Sequence, residues 1–125
     1  MDNYTIVRPE HLNQYGYLFG GAMLKWVDEF AWIAASLDFA GCSLVTKAMH
    51  DIVFRHPVDC GAILRFSVLP IKKGNSSVTY SVEVFADGPV VTEEKLIFST
   101  SVTFVNVDTA GRKMSLPEIA EYRSQ

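Results

Sequence analysis

Asn13-Gln-Tyr-Gly-Tyr-Leu-Phe-Gly-Gly-Ala-Met-Leu-Lys-Trp-Val-Asp28 decides how the rest of this chain must fold. A turn rich in glycine and aromatics runs straight into a long helical pattern. The pattern starts at Gly20 and Gly21 and predicts a helix to Leu37, with Asp38 and Gly41 as stop signals. On a wheel of about 100° per residue, Met23, Trp26, Val27, Phe30, Ile33, Ala34 and Leu37 form one broad apolar arc. Lys25, Glu29 and Ser36 form a narrow polar seam. Leu24, Ala31, Trp32 and Ala35 fill the remaining side, with one carboxylate, Asp28, among them. A helix apolar on nearly every side is buried on several faces, either wrapped by a sheet or held at an interface between copies. Asp28 is then an acid in apolar company, where the charged form is costly. Acids of that kind are enriched at functional sites; the plainer alternative is a local cap or ion pair.

The chain has 125 residues, enough for one domain (1–125) with one core. Its composition, 49% hydrophobic and 20% charged, is that of a globular protein rather than a disordered one. A net charge of −3 carries no nucleic-acid footprint. No hydrophobic run is long enough to span a bilayer and no signal peptide opens the chain, so a cytoplasmic protein with no membrane partner is expected. Cys42 and Cys60 fit neither a metal spacing nor a disulfide framework, and reduced thiols are expected. His11, His50 and His56 lack metal-ligand spacing, so no metal is assigned.

On either side of the helix the pattern changes. Tyr4 to Val7 reads as a short strand, and Pro9 to Leu18 as a loop carrying His11, Asn13 and Gly16. After Gly41, Leu44 to Phe54 is rich in β-branched and apolar residues. The stretches Ala62 to Ile71, Val78 to Phe85 and Leu96 to Val107 alternate apolar and polar residues with period two, the mark of half-buried strands. Cys60-Gly61, Lys73-Gly74-Asn75 and Ala86-Asp-Gly-Pro89 carry turn chemistry between them. The tail, Gly111 to Gln125, is polar around Leu116-Pro117 and is expected to hug the surface or fray. Short links between successive strands predict antiparallel pairing. One sheet with one apolar face needs one apolar layer, and the central helix is the only candidate. The expected fold is therefore α+β, an antiparallel sheet of about five strands wrapped around one long helix. One helix cannot cover a whole sheet, and its own apolar surface exceeds what the sheet would use. Both surpluses predict at least a homodimer.

The spaced residues Asn13, Gly16, Phe19-Gly20-Gly21, Leu24-Lys25 and Asp28-Glu29 resemble the signature of hot-dog-fold acyl-CoA thioesterases, in the branch of the bacterial and animal cytosolic acyl-CoA hydrolases. Phe54-Arg-His-Pro-Val58 resembles that family's strand-ending segment. Lys73-Gly-Asn-Ser-Ser77 resembles its Lys-Gly-x-x-Ser turn, and Val105-Asn-Val-Asp-x-x-Gly111 the end of its last strand. Together these cover most of the chain in the right order.

The resemblance implies an acyl-CoA substrate and no cofactor, CoA being part of the substrate. Asp28 matches the catalytic acid, as general base or nucleophile. The backbone at Gly20 and Gly21 would face the thioester carbonyl, where unpaired early N–H groups and the helix dipole favour a developing negative charge. Asn13 matches a residue that orients the water or the carbonyl. Phe19, Lys73, Gly74, Ser76 and Ser77 match substrate-binding positions, with Lys73 and Lys72 near the CoA phosphates. In the family, Asn and Asp of one site come from different subunits, which implies a dimer with two shared sites; relatives often form trimers of dimers, that is, hexamers. Two positions depart from the pattern. Trp32 stands one turn after Asp28, where relatives carry a small residue, and His50 stands where an acid is common. A non-catalytic acyl-CoA-binding or sensing module is the alternative. A dehydratase or hydratase on the same fold would pair a His with an acid near the helix, and no His follows Phe19 there. Asn13 as a mere turn former, Gly20-Gly21 as ordinary helix-entry glycines and Glu29 as a solvated or Lys25-paired acid are the structural readings of the same residues.

Overall fold

Period-two alternation and one long apolar helix produce a single layer pair in this computed structural model, which describes residues 1–88 and 93–119. Strand β1 (Asp2–Ile6) passes through a 3-10 turn at Pro9–His11 to helix α1 (Gly20–Asp38). Strands β2 (Leu44–Phe54), β3 (Ile63–Lys73), β4 (Ser77–Asp87) and β5 (Lys95–Asn106) follow. They form one antiparallel sheet in the order β1-β3-β4-β5-β2, and α1 packs against β2, β3, β4 and β5. This is the expected α+β arrangement of a five-stranded sheet around one helix. The elements match the sequence expectation to within two residues at each end; the 3-10 turn lies within the expected Pro9–Leu18 loop. Of the expected turns, Ala86-Asp-Gly-Pro89 runs into residue 89, and the tail into residues 120–125; both lie outside the described residues.

Alternation places Leu64, Phe66 and Val68 of β3, Val78, Tyr80, Val82 and Val84 of β4, and Phe98, Val102 and Phe104 of β5 in the core. The helix meets them differently from the wheel. Its buried residues are Met23, Val27, Ala31, Ala34 and Ala35, whereas Leu37 is 39% and Trp32 46% exposed. The contact line is rotated toward the alanines. Small side chains let the helix backbone sit close to the sheet, while Trp26 and Phe30 flank the line and meet Phe66 edge-on or tilted. The helix ends at the cap residue Phe39, and Gly41, at φ 87, makes the turn just beyond it, closed by the Cys42 N–H donated to the Phe39 carbonyl at 3.1 Å.

Strand β2 is unlike the others. It lies at the sheet edge, and Val45, Ile52, Val53 and Phe54 are exposed apolar residues. Its pairing with β5 slips twice, between Thr46 and Ala48 and between His50 and Val53. At the second slip Asp51 takes φ 53, a left-handed conformation that Asp tolerates better than most residues. Thr100 braces this bulge by donating its hydroxyl to the His50 carbonyl at 2.6 Å. The described part of the tail does hug the body: Leu116 is buried, and its N–H donates to the Asn75 carbonyl at 2.7 Å.

Tyr80 ties the helix end to the sheet. It is fully buried and its hydroxyl donates to Asp38 Oδ2 at 2.5 Å. Burial, then the hydrogen bond to Asp38, holds the phenol well above the ordinary tyrosine range. The unfolded chain therefore releases this proton first. The stabilisation is complete below about pH 10 and is lost as pH rises above it. Tyr80→Phe is expected to lower unfolding free energy by about 1.5–3 kcal/mol at pH 7, the range for a hydrogen bond to a charged group. Denaturant titrations at pH 7 and above pH 10 check both points: the variant should lose less stability in alkali than the wild type.

Candidate active site

The residues singled out in the sequence gather at two separate ends of the helix–β2 face. At the N-terminal end of α1, the preceding loop is tied by backbone bonds. Phe19 donates to the His11 carbonyl and Leu18 to the Val58 carbonyl, each at 2.8 Å. Asn13 Oδ1 accepts from the Tyr15 and Tyr17 N–H groups at 2.9 and 3.1 Å, so its side chain builds the turn. With Oδ1 so engaged, Nδ2 is the atom that Asn13 presents outward. The N-cap residue Phe19 offers no side-chain cap, and the Gly20 and Gly21 N–H groups meet no partner among the described residues. Both glycines are closely overlaid by aromatics. A Cβ on Gly21 would stand 2.5 Å from the Phe19 ring, and one on Gly20 would stand 3.4 Å from that of Phe54.

Asn13 and Gly20 line a cleft of about 290 Å³ together with Tyr17, Met23, Phe54, Arg55 and His56. Here lie two groups that sequence reasoning missed as site residues. A strand-ending segment marks neither Arg55 nor His56 as a site residue, yet Arg55 gives the cleft rim a cation and His56 stands beside it. Arg55 donates from Nη2 to Ser99 Oγ at 2.7 Å, which fixes its direction.

Asp28 lies eight residues further along α1, about 12 Å away at 1.5 Å per residue. It is half-buried, and Oδ1 accepts from Thr46 Oγ1 at 2.7 Å. It thus sits beside a hydroxyl on β2 rather than among apolar side chains only, which corrects the wheel reading. Thr46 was not singled out, because nothing in a β-branched strand segment marks one threonine over another. One turn on, Trp32 Nε1–H donates to the Leu44 carbonyl at 3.0 Å. Lys25 and Glu29 are exposed and form no ion pair among the described residues.

One chain therefore does not unite Asn13 with Asp28. Phe54 at the cleft and Thr46 at Asp28 pair with Phe98 and Phe104, six residues apart on β5, a separation of about 20 Å at 3.3 Å per residue. The Lys73–Ser77 turn shares the Thr46 end, because Ser77 pairs with Val105 and Val105 with Val45. The turn is closed by a Gly74 N–H donated to the Ser77 carbonyl at 2.7 Å, and Ser76 accepts from the Asn106 N–H at 2.8 Å. Lys73 is exposed, and among the described residues its ammonium reaches only the Gly74 carbonyl, at 3.5 Å. His50 is exposed midway along β2. Among the described residues, the arrangement offers unpaired backbone donors with an amide at one end, and at the other a carboxylate steadied by a hydroxyl at one of its oxygens.

Comparison with known proteins identifies the family and the fold. The family model of the thioesterase superfamily matches residues 15–93. The chain is 30% identical over 117 residues to an uncharacterized acyl-CoA thioester hydrolase of Haemophilus influenzae, covering 90% of this chain and 75% of that protein. It is 31% identical over 100 residues to mouse acyl-coenzyme A thioesterase 11, covering 80% of this chain but only 17% of that protein. The chain thus spans less than a fifth of the mouse protein's length. Among solved structures, a hexameric broad-specificity acyl-coenzyme A thioesterase, crystallised as an Asp-to-Ala mutant, superposes with a TM-score of 0.88 at 26% identity, over 98% of this chain and 89% of that one. The fold is the hot-dog fold.

The Asn13 turn has a direct test. Asn13→Ala removes the acceptor of two N–H groups and is expected to lower stability by about 0.5–2 kcal/mol, as for other side chains that cap exposed backbone donors. Asn13→Asp keeps the acceptor and should keep the stability. Thermal melts of the two variants beside wild type compare them.

Proposed function

Because this chain belongs to the thioesterase superfamily, we propose that it is an acyl-CoA thioesterase, hydrolysing acyl-CoA to the free acid and CoA in a site shared by two copies of the chain. The observation that carries this reading is the position of the two half-sites at opposite ends of an exposed edge strand. Thr46, which holds Asp28, and Phe54, which walls the cleft, are equidistant from His50. Antiparallel pairing of β2 with its copy about a two-fold axis near His50 would set Thr46 of one protomer opposite Phe54 of the other. Asp28 then meets the cleft of the partner, with its glycine amides and Asn13. The same pairing covers the apolar residues Val45, Ile52, Val53 and Phe54 and satisfies the open strand edge.

In this shared site the thioester carbonyl oxygen accepts from the Gly20 and Gly21 N–H groups, where α1 also contributes the positive end of its dipole. Asp28 of the facing protomer takes a proton from water as the water oxygen adds to the carbonyl carbon, or attacks that carbon itself. When water is the nucleophile, the carbon–sulfur bond then breaks, CoA leaves as thiolate, and the proton held on Asp28 restores its thiol. When Asp28 attacks, the same bond breaks to leave an acyl–Asp28 anhydride; water then hydrolyses it to the free acid and the Asp28 carboxylate, and the proton released restores the CoA thiol. Thr46 orients the carboxylate through its 2.7 Å hydrogen bond, and Asn13 Nδ2 donates to the water or the carbonyl. Phe19 lies over Gly21 and walls the backbone donors. Arg55 and His56 at the cleft suit the nucleotide end of CoA. No cofactor or metal enters this reaction. The hexamer described for the similar thioesterase suggests a trimer of dimers, and a cytoplasmic location suits a CoA ester hydrolase. No helix of the described residues is long and apolar enough to cross a membrane.

Asp28→Ala is expected to reduce thiol release from acyl-CoA at least 100-fold while preserving the melting curve and the oligomeric state. Turnover that survives would remove Asp28 from the chemistry; CoA-ester binding without turnover by the wild type would favour the binding-module alternative. The shared site has a sharper test. Asp28→Ala and Asn13→Ala proteins, each weak alone, are unfolded together and refolded as a mixture. Random pairing leaves about one site in four with both residues intact, so activity should recover to about a quarter of wild type. No recovery in refolded dimers would place both residues in one chain's site.

A further inference from the structure

The residue beyond Asp28 on the same face of α1 is the largest side chain available. Trp32 follows by four residues, so the two side chains stand one above the other. Both reach the same strand at neighbouring same-side positions: Asp28 bonds to Thr46, and Trp32 Nε1–H bonds to the Leu44 carbonyl at 3.0 Å. The indole is thereby pinned against β2 immediately past the carboxylate. It is nevertheless 46% exposed, so part of the indole remains free to meet a ligand.

We propose that Trp32 is the specificity-determining wall of the acyl pocket and restricts this enzyme to short acyl groups. The inference rests on the thioesterase reading and the shared site given above. The geometry of a thioester supplies the direction: sulfur and acyl chain leave the carbonyl carbon on opposite sides. The cleft side is open and carries Arg55 and His56, which suits the polyanionic CoA end. The acyl chain must then run the other way, past Asp28 along α1 toward Trp32. A flexible side chain there would swing aside for a longer chain. An indole held by a hydrogen bond at its ring nitrogen does not, because moving it leaves the Leu44 carbonyl without this donor. Trp32 touches the acyl group and not the reacting atoms, so its effect belongs in the ratio of rates between chain lengths rather than in the chemistry common to all.

The test is thiol release from saturated acyl-CoAs of increasing length, from acetyl to palmitoyl, with the wild-type protein, Trp32→Ala and Trp32→Phe. Wild type is expected to lose kcat/KM steeply with chain length. Trp32→Ala should raise the long-to-short ratio of kcat/KM at least tenfold. Trp32→Phe, which keeps a ring but loses the pinning N–H, should fall between the two. Wild type that hydrolyses long chains as well as short ones overturns the proposal, and this outcome does not depend on either variant folding. An unchanged ratio in a folded Trp32→Ala protein overturns it too. Absence of hydrolysis at every length in the assembled wild type would instead overturn the thioesterase reading on which it rests.

Discussion

The close seating of one helix against five strands is the constraint on which everything else depends. Val27, Ala31, Ala34 and Ala35 are all but fully buried, and three of the four are alanines. Only small side chains let α1 approach the sheet closely enough for the sheet to curl round it. That approach fixes which residues lie beside the contact line. Asp28 and Trp32 fall on the flank that meets β2, and each spends its polar group on that strand. Larger residues on the contact line would lift the helix, and both polar bonds would be lost with the packing.

The same seating explains why the protomer is not self-sufficient. One helix leaves the β2 end of the sheet thinly covered, and β2 carries apolar side chains into the open together with an unpaired edge. A soluble sheet normally protects such an edge with charge, proline or a cover. Here the bulge at His50–Val53, with Asp51 in a left-handed conformation and Thr100 bracing it, shapes the edge rather than blocking it. An edge kept apolar at Val45 and at Ile52 to Phe54 suits pairing with an identical edge. Two half-sites at its two ends become two whole sites when that pairing forms.

Much of this was legible in the chain because it follows from short-range rules. The period-two runs gave β3, β4 and β5 their inner faces, with Leu64, Phe66, Val82 and Phe104 all in the core. Glycines 20 and 21, overlaid by Phe54 and Phe19, marked the helix start, and Gly41 the left-handed turn just past its end. Asn13 illustrates a residue with two legible roles: its side chain builds the turn through Oδ1 and still offers Nδ2. The wheel misjudged the helix face, since hydropathy weights Leu37 above Ala31 while packing against a sheet selects for size.

From the sequence by itself came the α+β class, the strand count, the position of the helix and the identity of its lone apolar-face acid, because spacing and turn chemistry act between near neighbours. Only the tertiary structure decided which strand is the open edge, that Thr46 holds Asp28, that Trp32 is pinned to Leu44, and that Arg55 and His56 rim the cleft with Asn13 and Gly20. Those contacts join residues far apart in the chain, and no local pattern encodes which distant backbone a side chain will meet.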